Sequence, residues 1–356
     1  MKLFTKFRRR RDVTILSIDG GGVRGIIPIT VLLALQQEME LQDIKLPLYA
    51  CFDLIAGSST GGLVALGLAA PNANLPKDDA SPDRPKQRNL PAPILPAMTL
   101  ESILHIYEAR SGDIFPQGPL KDLRALAQLF TEKYQEDSLE NLIYEIFGDL
   151  SMADALTPAM ITSYECLSGE PFLFTSYADH PYRMREAARA TTAAPTYFSP
   201  TVIRSPEDGT NRCFIDGGVA ANNPALYAYC EARKLYPEAI RFHILSIGTS
   251  GSSFSVSMGN IKRMGILDWI SPAKGVPLLN AYAASQYYTQ EHVLKNIEGV
   301  TYHRIAGNKG NISIPMDDSS RENILRVKRT ASAIVRDHEE VIEAYCRLYL
   351  ANRRHA

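Results

Sequence analysis

The chain has 356 residues, enough for one large or two modest domains with a sizeable core. With 45% hydrophobic residues, 22% charged residues and a net charge of −1, it carries no global field that would recruit nucleic acid. A generic DNA or RNA binder is therefore excluded, and five dispersed cysteines with no CxxC read as core thiols of a reducing compartment.

Residues 1–12 read as a basic tail, with Lys2, Lys6 and Arg8 to Arg11 set around Leu3, Phe4 and Phe7. No apolar region long enough for a signal peptide follows, so the expected address is cytoplasmic. Basic residues of this kind give a weak contact with anionic lipid headgroups, about 1 kcal/mol each near the surface. Val13–Ile18 is a short apolar run ending at Asp19 and a glycine cluster, which reads as a buried strand. Ile26–Met39 is apolar at helical spacing, with Pro28 in the first turn where a missing N–H costs little. Phe52–Ala56 reads as a second buried strand, followed by another glycine-flanked turn and a helix over Gly62–Ala70. Strand, glycine turn and helix, repeated, predict an α/β sandwich whose functional loops lie at the carboxyl ends of the strands.

Pro71–Pro96 carries seven prolines, mixed charge and little periodicity. Residues 71–97 therefore read as a long loop insertion, and its position after the second helix predicts reach over the mouth of any site there. Beyond it, Leu100–Arg110, Leu120–Tyr134 and Arg183–Ala194 read as helices. Ala159–Tyr164, Phe172–Tyr177, Cys213–Ile215 and Ile240–Ile247 read as strands. Arg321–Leu350 is a long amphipathic helical region. No clean linker divides the chain, which favours one elaborated catalytic domain over residues 13–255. A C-terminal helical extension, residues 256–356, is expected to pack on it.

Three segments carry chemistry. Gly57-Ser58-Ser59-Thr60-Gly61 is a GxSxG between an apolar strand and an apolar helix. That context suits a sharp turn that lifts Ser59 out of the sheet, with a helix N-terminus behind it to meet developing negative charge. Asp19-Gly20-Gly21-Gly22-Val23-Arg24-Gly25 lets backbone N–H groups converge on one anionic oxygen. Three readings of this loop stand: an oxyanion hole, a phosphate cradle and a structural turn. It is not a Walker sequence, because no Gly-Lys-Ser/Thr follows. Asp216-Gly217-Gly218 places an aspartate, held by two glycines, at a strand end. None of the seven histidines sits in a recognisable catalytic motif, so Ser59 and Asp216 as a two-member site is the economical model. Its difficulty is that a carboxylate of ordinary pKa is a poor base for a hydroxyl, which desolvation would ease.

Taken in chain order, DGGGVRG at 19–25, GSSTG at 57–61 and DGG at 216–218 resemble the motifs of the patatin-like phospholipase family, related to the cytosolic phospholipases A2. The resemblance covers roughly residues 13 to 250 and takes in Ala188–Phe198, similar to that family's helix and turn before the aspartate. It implies a three-layer α/β sandwich with a central, mostly parallel sheet flanked by helices. It further implies Ser59 as nucleophile, Asp216 as its base, and Gly20, Gly21 and Gly22 as the oxyanion hole with Arg24 beside it, with no metal or other cofactor. The expected substrate is a membrane phospholipid ester, met by peripheral contact at the inner membrane.

The short form with a helical C-terminal extension is also similar to bacterial patatin-like effectors of anti-phage signalling. That likeness implies a cyclic dinucleotide activator; a homo-oligomer is a further candidate partner, which the sequence leaves open. Rival readings are a general carboxylesterase or acyltransferase with the same dyad and, from another class, a regulatory nucleotide-binding protein using the glycine loop.

Overall fold

The computed structural model describes residues 12–72, 98–114, 136–195, 197–249, 262, 264–270, 277–307 and 314–350. The basic tail before Asp12, nearly all of the proline-rich segment and the helix expected over Leu120–Tyr134 lie outside these residues.

Eight strands form one sheet: β1 (Asp12–Ile18), β2 (Leu54–Ser58), β3 (Ala159–Glu165), β4 (Glu170–Thr175), β5 (Thr201–Arg204), β6 (Asn211–Asp216), β7 (Arg241–Ile247) and β8 (Val300–Ile305). The parallel part runs β8-β7-β1-β2-β3. Helices α1 (Ile26–Leu41), α2 (Thr60–Ala69), α3 (Leu100–Ala109), α4 (Glu136–Phe147), α5 (Met184–Thr191), α6 (Ala225–Leu235), α7 (Pro277–Lys295), α8 (Arg321–Asp337) and α9 (Glu339–Tyr345) cover it.

Period-two alternation sorts the side chains of the central strands between two cores. Leu16, Ile18 and Ile55 face one apolar layer with residues of α1, α2, α5 and α8. Val13, Ile15, Leu54 and Ala56 face the other, built with α6 and the end of α7. Both faces of β1 and β2 are buried, which is why these strands read as continuous apolar runs and not as alternating ones. The result is the three-layer sandwich expected from the sequence. No helix among the described residues is long and apolar enough to cross a membrane.

Two features were not read from the sequence. The C-terminal region contributes a strand as well as helices: β8 lies parallel to β7 at the sheet edge, Phe242 opposite Val300 through Ile247 opposite Ile305. Its sequence, VTYHRI, mixes polar and apolar residues on both faces and lacks the apolar run that marks the central strands.

The second feature is a change of partner along β3. Strand β4 occupies one edge of β3 from Met160 to Glu165. On the other edge, β2 pairs as far as Ser58 opposite Thr162, and β6 takes over antiparallel with Asp216 opposite Ser163. The chain leaving β2 at Ser59 thus meets the end of β6 at Asp216, although 157 positions separate them.

Candidate active site

Ser59 sits between β2 and α2 with φ 51° and ψ −125°. A side chain in the left-handed half of φ space is uncommon and persists only where its surroundings hold it. Here the Ser59 N–H donates to Thr191 Oγ at 2.7 Å, and the first turn of α2 closes behind with Gly62 N–H to Ser59 O at 2.8 Å. Gly57 and Gly61 are required by space, because a Cβ on either would lie within 2.6 Å of backbone, on Gly62 Cα and Asp19 O respectively. In the run 51–62 Ser59 alone is not buried. The turn therefore presents one hydroxyl from an otherwise closed interior.

Ser59 Oγ donates to Asp216 Oδ2 at 2.7 Å. The second oxygen of Asp216 accepts from Gly218 N–H at 2.7 Å. The Asp216 and Gly217 amides bond to Ala193 O and Thr191 O at 3.0 and 3.2 Å, so the last residue of α5 and the turn after it brace both members of the pair. No cation pairs with Asp216 among the described residues. Burial pushes its carboxyl up to about 6, against the lowering effect of the Ser59 and Gly218 hydrogen bonds. The difficulty noted from sequence is thus reduced: a base near 6 is better matched to neutral pH than one near 4.

The glycine loop lies against this pair. A Cβ on Gly20 would come within 2.9 Å of Ser59 Cβ and 2.5 Å of Asn222 Oδ1. The N–H of Gly20 donates to Asn222 O at 3.1 Å, so its contribution is close approach and not a free donor. The amides of Gly21 and Gly22 have no protein partner among the described residues. Gly22 has φ +56°, and a side chain there would also collide with the Met316 carbonyl. Thr249 Oγ and Asn222 Nδ2 donate to Gly20 O at 2.6 and 3.3 Å, Thr60 Oγ donates to Gly22 O at 3.0 Å, and Val23 N–H donates to Met316 O at 2.9 Å. Arg24 does not reach Ser59 or Asp216 through any hydrogen bond; its Nε holds the Gly21 carbonyl at 3.2 Å.

Ser59, Asp216 and the glycines singled out by sequence are therefore brought together, with Arg24 bracing the loop from behind. Sequence reasoning passed over Thr191, Thr249 and Met316. Thr191 lies inside the segment whose resemblance was noted, which was a signal; the others carry no motif.

The model of the patatin-like phospholipase family matches residues 16–229. The chain belongs to that family. Patatin-like protein 2 of Arabidopsis thaliana is 33% identical over 299 residues, covering 76% of this chain and 68% of its own length. Patatin-like protein 2 of Oryza sativa subsp. indica is 29% identical over 353 residues, 88% of this chain and 81% of the relative. Among solved structures, VipD from Legionella pneumophila aligns over 92% of this chain and 67% of its own, at 14% identity and TM-score 0.37. Lipid hydrolysis is the activity that membership in the patatin-like phospholipases supports, and the matched span contains Ser59, Asp216 and the whole glycine loop.

Proposed function

We propose that the protein hydrolyses membrane phospholipid esters with Ser59 as nucleophile and Asp216 as general base. The observation that carries this reading is the 2.7 Å bond from a strained, partly exposed serine to a buried carboxylate that pairs with no cation among the described residues. Ser59 Oγ attacks the ester carbonyl carbon while its proton passes to Asp216 Oδ2. The carbonyl oxygen becomes an anion and takes hydrogen bonds from Gly21 N–H and Gly22 N–H, aided by the N-terminus of α2. Collapse of this intermediate breaks the bond to the leaving alkoxide, which collects the proton from Asp216. Water then gives its proton to Asp216 and attacks the acyl-serine. The proton returns to Ser59 Oγ as the fatty acid leaves.

The reading is tested with purified protein and phospholipid vesicles. Release of fatty acid and labelling of Ser59 by a fluorophosphonate are expected, and both should vanish in Ser59→Ala. A labelled serine with hydrolysis of short esters only would turn the reading to a general esterase; acyl transfer to added alcohols would turn it to an acyltransferase. No labelling, with nucleotide bound at the glycine loop, would replace it by the nucleotide-cradle reading. Assays with and without cyclic dinucleotides, and with vesicles of inner-membrane composition, test the activator and the peripheral contact implied by the closer resemblance. A mass measurement in solution tests self-association.

A further inference from the structure

Asp19 directly follows β1 and opens the glycine loop. Its side chain is buried at 3% exposure, and both carboxylate oxygens are gripped by Arg304 of β8. One contact is Nη1 to Oδ1 at 2.9 Å, and the other is Nη2 to Oδ2. Two further donors of the guanidinium are also engaged. Nη1 reaches Ser246 Oγ at 2.7 Å, and Nε reaches the Tyr287 hydroxyl at 2.9 Å. The Tyr287 ring, from α7, lies 4.7 Å from the guanidinium carbon. Burial works against the charge on Arg304, and the neighbouring Asp19 carboxylate overrides it, so the guanidinium stays protonated.

A buried ion pair contributes little net stability compared with apolar residues of the same volume, whereas a planar two-toothed grip fixes orientation strongly. What this grip orients is the peptide leading into Gly20, whose α-carbon packs against Ser59. We infer that Arg304 is a positioning residue for the oxyanion loop: by holding the Asp19 carboxylate it sets the direction of the Gly21 and Gly22 amides. Tyr287 ties that setting to helix α7. Arg304 touches no reacting atom and acts only through Asp19. The family model ends at residue 229, so this element of the device lies outside the matched span. The inference rests on the serine–aspartate reading above.

The test uses the full chain with Arg304→Gln, Arg304→Lys and Tyr287→Phe. It measures kcat and KM on a soluble short-chain ester, thermal melting, and amide hydrogen exchange of the peptide spanning residues 19–25. The hydrogen-bonded amides of Gly20, Val23 and Arg24 report on the loop. In Arg304→Gln, kcat is expected to fall about 10²-fold, the order of losing one oxyanion donor, with KM within about threefold. Exchange in 19–25 should accelerate while that of α2 stays unchanged. Arg304→Lys, which keeps charge but not the fork, should recover part of kcat, and Tyr287→Phe should lose about threefold, one modest hydrogen bond.

A kcat within twofold of wild type in Arg304→Gln, or unchanged loop exchange, overturns the inference. A fall in activity that merely tracks the unfolded fraction overturns it as well. Should Arg304→Gln not fold, Arg304→Lys and Tyr287→Phe carry the same two readouts. A wild-type protein that neither hydrolyses esters nor labels at Ser59 refutes the serine–aspartate reading instead, and the exchange measurement still decides whether Arg304 sets the loop.

Discussion

The molecule contains two Asp-Gly-Gly turns, one at residues 19–21 and one at 216–218, and they put the same three residues to opposite uses. Asp19 directly follows a strand, Asp216 ends one, and both are buried, at 3% and 6% exposure. Asp19 faces a guanidinium that takes both its oxygens. Asp216 faces a hydroxyl and one amide, which lower its pKa less than burial raises it. The first has both oxygens committed to that guanidinium and anchors the loop that follows it, even though burial pushes its carboxyl up as well. The second is left able to gain and lose a proton near neutrality. Burial raises both carboxyls; what separates them is the partner, a two-toothed cation at Asp19 and a hydroxyl with a transferable proton at Asp216.

The largest way to break this comparison is to neutralise each aspartate and measure turnover. Asp216→Asn, like Ser59→Ala, should cost about 10⁴-fold in kcat, and the double variant should be no slower, because the pair works as a unit. Stability should respond in opposite senses. Asp19→Asn leaves the buried Arg304 charge without its partner and should destabilise by about 3 kcal/mol in denaturant melts. Equal melting of the two variants would erase the distinction.

Next in size is Gly21→Ala. Its Cβ would collide with the Thr249 side chain, displacing the amide, and turnover should drop about 10²-fold with KM little changed. Smaller is the gain expected from Asp216→Asn at pH 7 to 8, about 1–3 kcal/mol from the upward shift of Asp216. The sign follows from linkage: a carboxyl raised to about 6 in the folded state adds stability fully present below its unfolded value, and loses it as pH rises through about 6. The advantage of the asparagine variant should therefore vanish by about pH 4, and a gain that persists there would contradict the assignment. The mildest effect is on the wild type, whose kcat/KM should decline about tenfold per pH unit below about 6 as Asp216 takes up its proton.

Much of this was legible in the sequence because local chemistry demanded it. The runs before Asp19 and Gly57 are apolar on both faces, as central parallel strands must be, and the glycines mark turns that tolerate no Cβ. Ser59 and Asp216 could be paired by motif. What holds them was harder to read. Thr191 is one threonine in a small-residue segment, and nothing local tells that its hydroxyl fixes the Ser59 amide. Arg304 lies 285 positions from Asp19, on a strand whose half-polar sequence gives no sign that one of its side chains reaches the glycine loop. The Gly20 amide looked available with its two neighbours, and only the approach of Asn222 reveals it as engaged. Gaps in reading therefore fall where the partner is distant in sequence and the residue type is ordinary.

The change of partner along β3 has a consequence for how the site tolerates mutation. Thr162 and Ser163, neighbours in the chain, face Ser58 and Asp216. The spacing of nucleophile and base is thus gauged by one step of a third strand that contributes no reacting group. Inserting a single residue between Thr162 and Ser163 would shift the two members relative to each other by about 3.3 Å, while leaving all three motifs spelled as before. A chain altered in that way would still be recognised by its sequence signature and would have lost its chemistry.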